Sequence, residues 1–234
     1  MISFVVPAHD EERLLGSTIV ALHAAARELG EPYELIVVDD ASTDDTAGIA
    51  RANGARVVRV DFRQIGRSRN AGAHAATGRT LVFVDADTVV PAATLKASIA
   101  VLRGGAVGGG ATVDFDGHVP FWAWVMLPIV RGGLRFHRLA AGCYLFCSRA
   151  AFDASGGFDE TLFAAEELAF SRALGRHGRV VILRERVMTS GRKLRSHSGW
   201  EVLRLCGALA RQGTALVRSR DRLSIWYGER RDDV

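Results

Sequence analysis

Residues able to do chemistry gather at a few points of this chain. Asp85 and Asp87 close the apolar run 81–84, with only Ala86 between them. On an extended backbone, residues two apart share a face, which would aim both acids at one point. Two hard oxygen anions side by side suit a divalent cation, Mg²⁺ or Mn²⁺, carrying phosphates; a strand-end turn with solvated acids has the same sequence. Asp39 and Asp40 end a second apolar run. Arg67 and Arg69 lie in Gly66-Arg-Ser-Arg-Asn-Ala-Gly72. Its glycines permit close backbone approach to a ligand, and either arginine could reach a pyrophosphate. A helix packed tightly on a sheet wants the same small residues. Glu166 and Glu167 open a helical pattern, where acids also favour the helix dipole.

The elements that must position these groups alternate. Strands are expected at 2–6, 34–38, 56–60, 81–84, 111–115, 140–147 and 180–183, and helices at 14–29, 44–53, 66–77, 91–103, 121–138 and from 166. Ser42 or Thr43 is expected to cap the second helix, and 104–110 to be a flexible glycine-rich turn. A βαβαβ order before residue 61 predicts an α/β fold with a mostly parallel central sheet flanked by helices. Ligands of such sheets collect at the carboxyl ends of strands, where the acid pairs fall. A basic terminal helix over 200–222 is expected, with Arg204, Arg211 and Arg218 recurring every seven residues.

Composition narrows the class. The chain has 234 residues, 48% of them hydrophobic, and can bury a sizeable core. No stretch reaches the roughly 18 apolar residues of a membrane span, and residues 2–6 read as a strand rather than a signal peptide. Cys143, Cys147 and Cys206 lack zinc-type pairing, which predicts reduced thiols in a cytoplasmic protein. The net charge of +4 divides into −5 over residues 1–170 and +9 over 171–234. A basic tail after acidic strands suits a phosphate-bearing or membrane-surface partner, or a solvated surface. With few aromatics there to stack bases, nucleic acid is not expected.

Five motifs in order carry a resemblance: Val5-Val-Pro-Ala-His-Asp-Glu-Glu, Val37-Val-Asp-Asp-Ala-Ser-Thr-Asp, Arg69-Asn-Ala-Gly, Val84-Asp-Ala-Asp, and Gly156-Gly-Phe-Asp-Glu followed by Glu166-Glu167. Together they resemble the family-two glycosyltransferases of the GT-A fold, over about residues 2–195. The resemblance implies one domain over 1–199, with a nucleotide-sugar half (1–103) and an acceptor half (104–199), and a basic tail over 200–234. It implies a nucleotide-diphosphate sugar donor, Mn²⁺ or Mg²⁺, and inverting transfer to an acceptor hydroxyl or lipid phosphate. Asp40 would hydrogen-bond the base and Asp39 hold the loop, with Pro7, Ala8, His9 and Glu11 lining the nucleotide side. Arg69 would contact the diphosphate-sugar. Asp87 would bind the metal, with Asp85 nearer the ribose or sugar. The family's usual Glu-Asp is here Glu166-Glu167, so Glu167 is the expected base and Glu166 the fallback. Arg192 and Lys193 would neutralise the departing phosphates, and His197 could complete the metal shell.

Two other readings fit the same sequence. Asp85-Ala-Asp-Thr-Val89 also resembles the strand-end motif of haloacid-dehalogenase-like phosphohydrolases, whose first Asp is a nucleophile; Lys96 and Lys193 fit its lysine poorly. The altered base pair would suit a non-catalytic nucleotide-sugar-binding module. The acceptor is unidentified. Residues 117–138, with Trp122, Trp124 and Phe136, are expected to build its site or to pack in the core. A polyprenyl phosphate acceptor would imply peripheral contact with the inner membrane face.

Overall fold

Strands that read as uninterrupted apolar runs must be covered on both faces. The computed structural model, which describes residues 1–196 together with Val217 and Arg218, has that arrangement. β1 (Ile2–Ala8), β2 (Tyr33–Asp40), β3 (Arg56–Val60) and β4 (Thr80–Val84) run parallel, with β1 between β2 and β4. Their side chains alternate between two cores. Phe4, Val6, Val82 and Val84 pack with α1 (Leu15–Leu29) and α4 (Ala92–Arg103). Val5, Leu81 and Phe83 pack with α3 (Ile65–Ala75), α6 (Arg149–Ser155) and α7 (Glu166–Gly175).

Beyond β4 the sheet becomes mixed. Its order is β3-β2-β1-β4-β7-β6-β8-β5, where β5 is Thr88–Val89, β6 Ala106–Phe115, β7 Tyr144–Ser148 and β8 Arg179–Thr189. β7 is antiparallel to β4 and β6, and β5 is antiparallel to β8. The fold is thus a single α/β domain with a mostly parallel sheet, as the sequence predicts.

Several local expectations fail for physical reasons. Residues 108–110 are not a flexible turn but the middle of β6, paired on both sides. A Cβ on Gly108 would lie 2.6 Å from the Phe146 carbonyl oxygen, and one on Gly109 would meet the Val181 carbonyl. Close packing, not backbone freedom, requires these glycines; the turn falls to Gly104 and Gly105, the latter with φ of 83°. β8 is eleven residues long rather than four. Neither Ser42 nor Thr43 caps α2 (Thr46–Ala52). The Ser42 hydroxyl accepts from the Asp10 amide and Thr43 donates to the Asp10 carboxylate, so both hold the loop after β1. The expected terminal helix with Arg204 and Arg211 lies outside the described residues, as do His197, Cys206 and the Lys193 side chain.

Candidate active site

Asp85 and Asp87 sit at the tip of β4, but not on extended backbone. The Thr88 amide donates to the Asp85 carbonyl at 3.1 Å, folding residues 85–88 into a turn. Thr18 of α1 donates to the Ala86 carbonyl at 2.8 Å, and the Asp85 amide donates to the Cys143 carbonyl at 3.1 Å. The turn sends the two acids to different partners, correcting the expectation of a shared face. Asp85 accepts from Arg69 at 2.9 Å. Asp87 accepts from the Thr189 hydroxyl at 3.1 Å and from Arg192 at 3.2 Å.

Arg69 is the centre of the first group. It projects from α3, 1% exposed, and donates to Glu166 at 2.7 Å, Asp85 at 2.9 Å and the Gly142 carbonyl at 2.8 Å. Burial alone would lower its affinity for a proton, but Asp85 and Glu166 outweigh that and raise it. The expected contact with the diphosphate-sugar is therefore not what this side chain presents. Its fork is engaged inside the protein and joins three chain segments.

That arrangement also separates the two glutamates. Glu166 is buried and bound to Arg69, so the fallback base is a partner of the arginine. Glu167 takes the other direction: a Cβ built on Gly142 would lie 3.5 Å from its carboxyl carbon. The Gly142 carbonyl also accepts from Arg69, which donates to Asp85 as well, so Glu167 stands beside the β4 tip. Burial first, and the Glu166 charge second, push the Glu167 carboxyl up to about 8, with Arg69 opposing.

The neighbouring side chains of α3 fix the loop that delivers these glutamates. Asn70 accepts from the Phe158 amide at 2.9 Å and donates to the Phe158 carbonyl at 2.9 Å. Gln64, which precedes the helix, donates to the Glu160 and Leu162 carbonyls. Phe158 stacks on Phe170 of α7 with centroids 4.2 Å apart. Gly72 lets α3 sit on the sheet, because a Cβ there would run into Val5 and Val38. The Gly-Arg-Ser-Arg-Asn-Ala-Gly segment is thus a packing helix.

On the nucleotide side, Pro7 and Ala8 end β1 beside Val38 and Asp39. His9 Nδ1 bonds the Asp40 carbonyl at 2.7 Å. Asp40, expected to read the base, accepts from the Phe62, Arg63 and Gln64 amides and from the Ser68 hydroxyl at 2.6 to 3.1 Å. Burial works to raise its carboxyl, yet these donors hold it below the usual carboxylate range. Four donors nearly fill a carboxylate. Asp39 has a 3.3 Å bond from the Ser42 amide and Arg59 at 3.6 Å. The donors that hold the neighbouring loop thus gather on Asp40 rather than on Asp39.

Around Asp87, Arg192 opens α8 (Arg192–Ser196) and also donates to Glu11 at 2.5 Å. Burial would lower its proton affinity, but Glu11 and Asp87 raise it. Thr189, which sequence reasoning missed, bonds both Asp87 and Thr88; a hydroxyl ending β8 just before Ser-Gly was its only signal. Among the described residues no cluster of three or more His, Cys, Asp or Glu could hold a metal by itself. Mg²⁺ and Mn²⁺ are commonly bound through one or two carboxylates, with substrate phosphates completing the shell. Asp87, half-buried and already taking an arginine cation, fits an ion arriving with a diphosphate.

A mostly parallel sheet with acids at the carboxyl ends of its strands, a buried carboxyl opposite them and a covering arginine defines a GT-A-type architecture. The family model described as "Glycosyl transferase family 2" matches residues 3–152, and the chain belongs to that family. An uncharacterised glycosyltransferase of Mycobacterium bovis is 35% identical over 105 residues, 45% of each chain, so the match spans less than half the length of that relative. A Pyrobaculum calidifontis mannosyltransferase, solved with GDP-Man and Mn²⁺, has the same fold. Its TM-score is 0.66 at 19% identity, over 93% of this chain and 62% of that one. Glucosyl-3-phosphoglycerate synthase of Mycobacterium tuberculosis, solved with Mn²⁺, UDP and its product, gives 0.61 at 23% identity, over 93% and 79%. The haloacid-dehalogenase-like reading is not favoured. Asp85 is tied to Arg69, and Lys96 pairs with Glu28 at 2.7 Å on the exposed surface.

Proposed function

We propose that this chain transfers a sugar from a nucleotide-diphosphate sugar to an acceptor hydroxyl with inversion, Glu167 acting as the base. The observation that carries this reading is the placement of the Glu167 carboxyl against Gly142, beside Arg69 and Asp85, while Arg69 occupies Glu166. In the reaction the acceptor O–H proton passes to Glu167, the acceptor oxygen bonds to the anomeric carbon, and the sugar–diphosphate bond breaks with its electron pair leaving on the diphosphate. Arg69 and Glu166 hold the base and the acid turn in register. Pro7, Ala8, His9 and Glu11 line the nucleotide, and Asp39 is the acid of its pair with capacity for a base N–H. Asp87, with Asp85 on the same turn, would hold Mn²⁺ or Mg²⁺, which when bound supplies positive charge to the diphosphate. Arg192 then faces the departing phosphates, and Lys193 follows it in sequence. A phosphate acceptor would need no base.

The test is Glu167→Gln. It should lower turnover about 10²- to 10⁴-fold while calorimetry shows donor nucleotide affinity unchanged. Full activity in the variant, or loss of donor binding, would remove Glu167 from this role.

A further inference from the structure

Helix α5 (Phe121–Phe136) is built inside out. Its arginines reach back to the sheet: Arg131 donates to Asp114 at 2.7 Å and to the Val113 carbonyl, and Arg135 donates to the Leu183 carbonyl at 2.7 Å. These contacts fasten the helix to β6 and β8. Its large apolar side chains turn outward. Phe121, Trp124, Ile129 and Phe136 are 78, 68, 65 and 83% exposed, and Val125, Met126 and Val130 are exposed as well. The Phe121 and Trp124 rings stack with centroids 6.2 Å apart. Only Ala123 is buried. Such a face is unfavourable in water and marks a surface that something apolar covers.

Charge selects the cover. The helix and the segment after it, residues 117–141, contain no Asp or Glu; Arg131 is already paired with Asp114 and Arg135 with a β8 carbonyl, which leaves Arg138, with His137 beside it, as the outward cation. Arg138 is exposed just past the helix. Aromatic and aliphatic groups beside the exposed Arg138, on a helix that carries no acid of its own, match the boundary between acyl chains and anionic headgroups. A second copy of this chain would set like charges against each other.

We propose that α5 lies in the interfacial plane of an anionic lipid bilayer, with Phe121, Trp124, Ile129 and Phe136 among the acyl chains and Arg138 at the phosphates. The chain passes from α5 through residues 137–141 to Gly142 and Cys143, whose carbonyls hold Arg69 and the Asp85 amide. A five-residue segment, 137–141, therefore joins the docked helix to the Glu167 side of the site. It follows, resting on the transferase reading above, that the acceptor group is borne by a bilayer lipid.

The test is co-sedimentation of the full chain with phosphatidylglycerol–phosphatidylcholine vesicles and with phosphatidylcholine alone. The wild type should partition onto the anionic vesicles only. Phe121→Ser, Trp124→Ser and Ile129→Ser combined should weaken that by about tenfold or more, and Arg138→Glu should weaken it severalfold. Melting curves check that each variant is folded, and quenching by brominated lipid, lost in Trp124→Phe, reads the contact in an otherwise unaltered chain. No partition, equal partition onto neutral vesicles, or partition untouched by the triple variant would overturn the proposal. So would a dimer in light scattering that the triple variant makes monomeric. Donor nucleotide binding measured alongside separates the two readings. Vesicle failure with donor binding intact sinks only the bilayer proposal, and the converse sinks only the transferase reading.

Discussion

Glu167 is a carboxyl group that its surroundings make hard to ionise. Buried beside Glu166, it holds its proton to about pH 8. The folded chain therefore binds a proton that the unfolded chain, with an ordinary value near 4.5, has lost. Stability from this group is fully present below about 4.5 and declines as pH rises to about 8. Two results follow. The kcat/KM of the wild type should rise with pH through a limb near 8, and Glu167→Gln should abolish that limb. The variant should also melt higher than wild type at pH 8 and no higher at pH 4; a constant difference across the range would place the proton elsewhere. The residue types at this site were legible in the sequence, but the division of labour within each pair was not. Glu166 and Glu167 differ only in which one meets Arg69, a residue 97 positions away. Likewise Asp40 differs from Asp39 because the amides of Phe62, Arg63 and Gln64 return to it. Adjacent positions on a helix or strand point in different directions, and only the tertiary fold decides which direction holds a partner.

At the scale of elements, α3 and β6 carry the same lesson about glycine. Both have small residues that composition alone assigns to mobility or ligand approach, and in both those residues admit a neighbouring strand. Gly109→Ala should destabilise the fold by roughly 3 kcal/mol, a fall in Tm of about 6–12 °C for a chain of this size, with unfolding followed by circular dichroism. An unchanged Tm would mean that β6 can move away from Val181. The parallel strands β1 to β4 were plainly readable, because covering on both faces leaves an unbroken apolar run. β8 was read too short, since Arg184, Glu185 and Arg186 interrupt the apolar pattern in a strand whose side chains are partly exposed.

For the molecule as a whole, the site gathers the loop after β1, the β4 tip, the segment after α5, the start of α7 and the end of β8. A ligand that bridges them should stabilise the entire fold. Among UDP, GDP and dTDP, the nucleotide that binds should raise Tm, by about 5–10 °C at a hundredfold excess over Kd. Mn²⁺ should enlarge that rise, and Asp87→Asn should erase the enlargement while leaving the metal-free shift. Equal enlargement in Asp87→Asn would move the ion off that carboxylate. The clasp from Arg192 to Glu11 spans 181 positions. During synthesis the anions of the first loop and the acid turn are complete long before the guanidinium that sits between them is made. Electrical balance at this mouth is thus a property of the finished chain, and a nascent fragment would offer its carboxylates to any cation at hand.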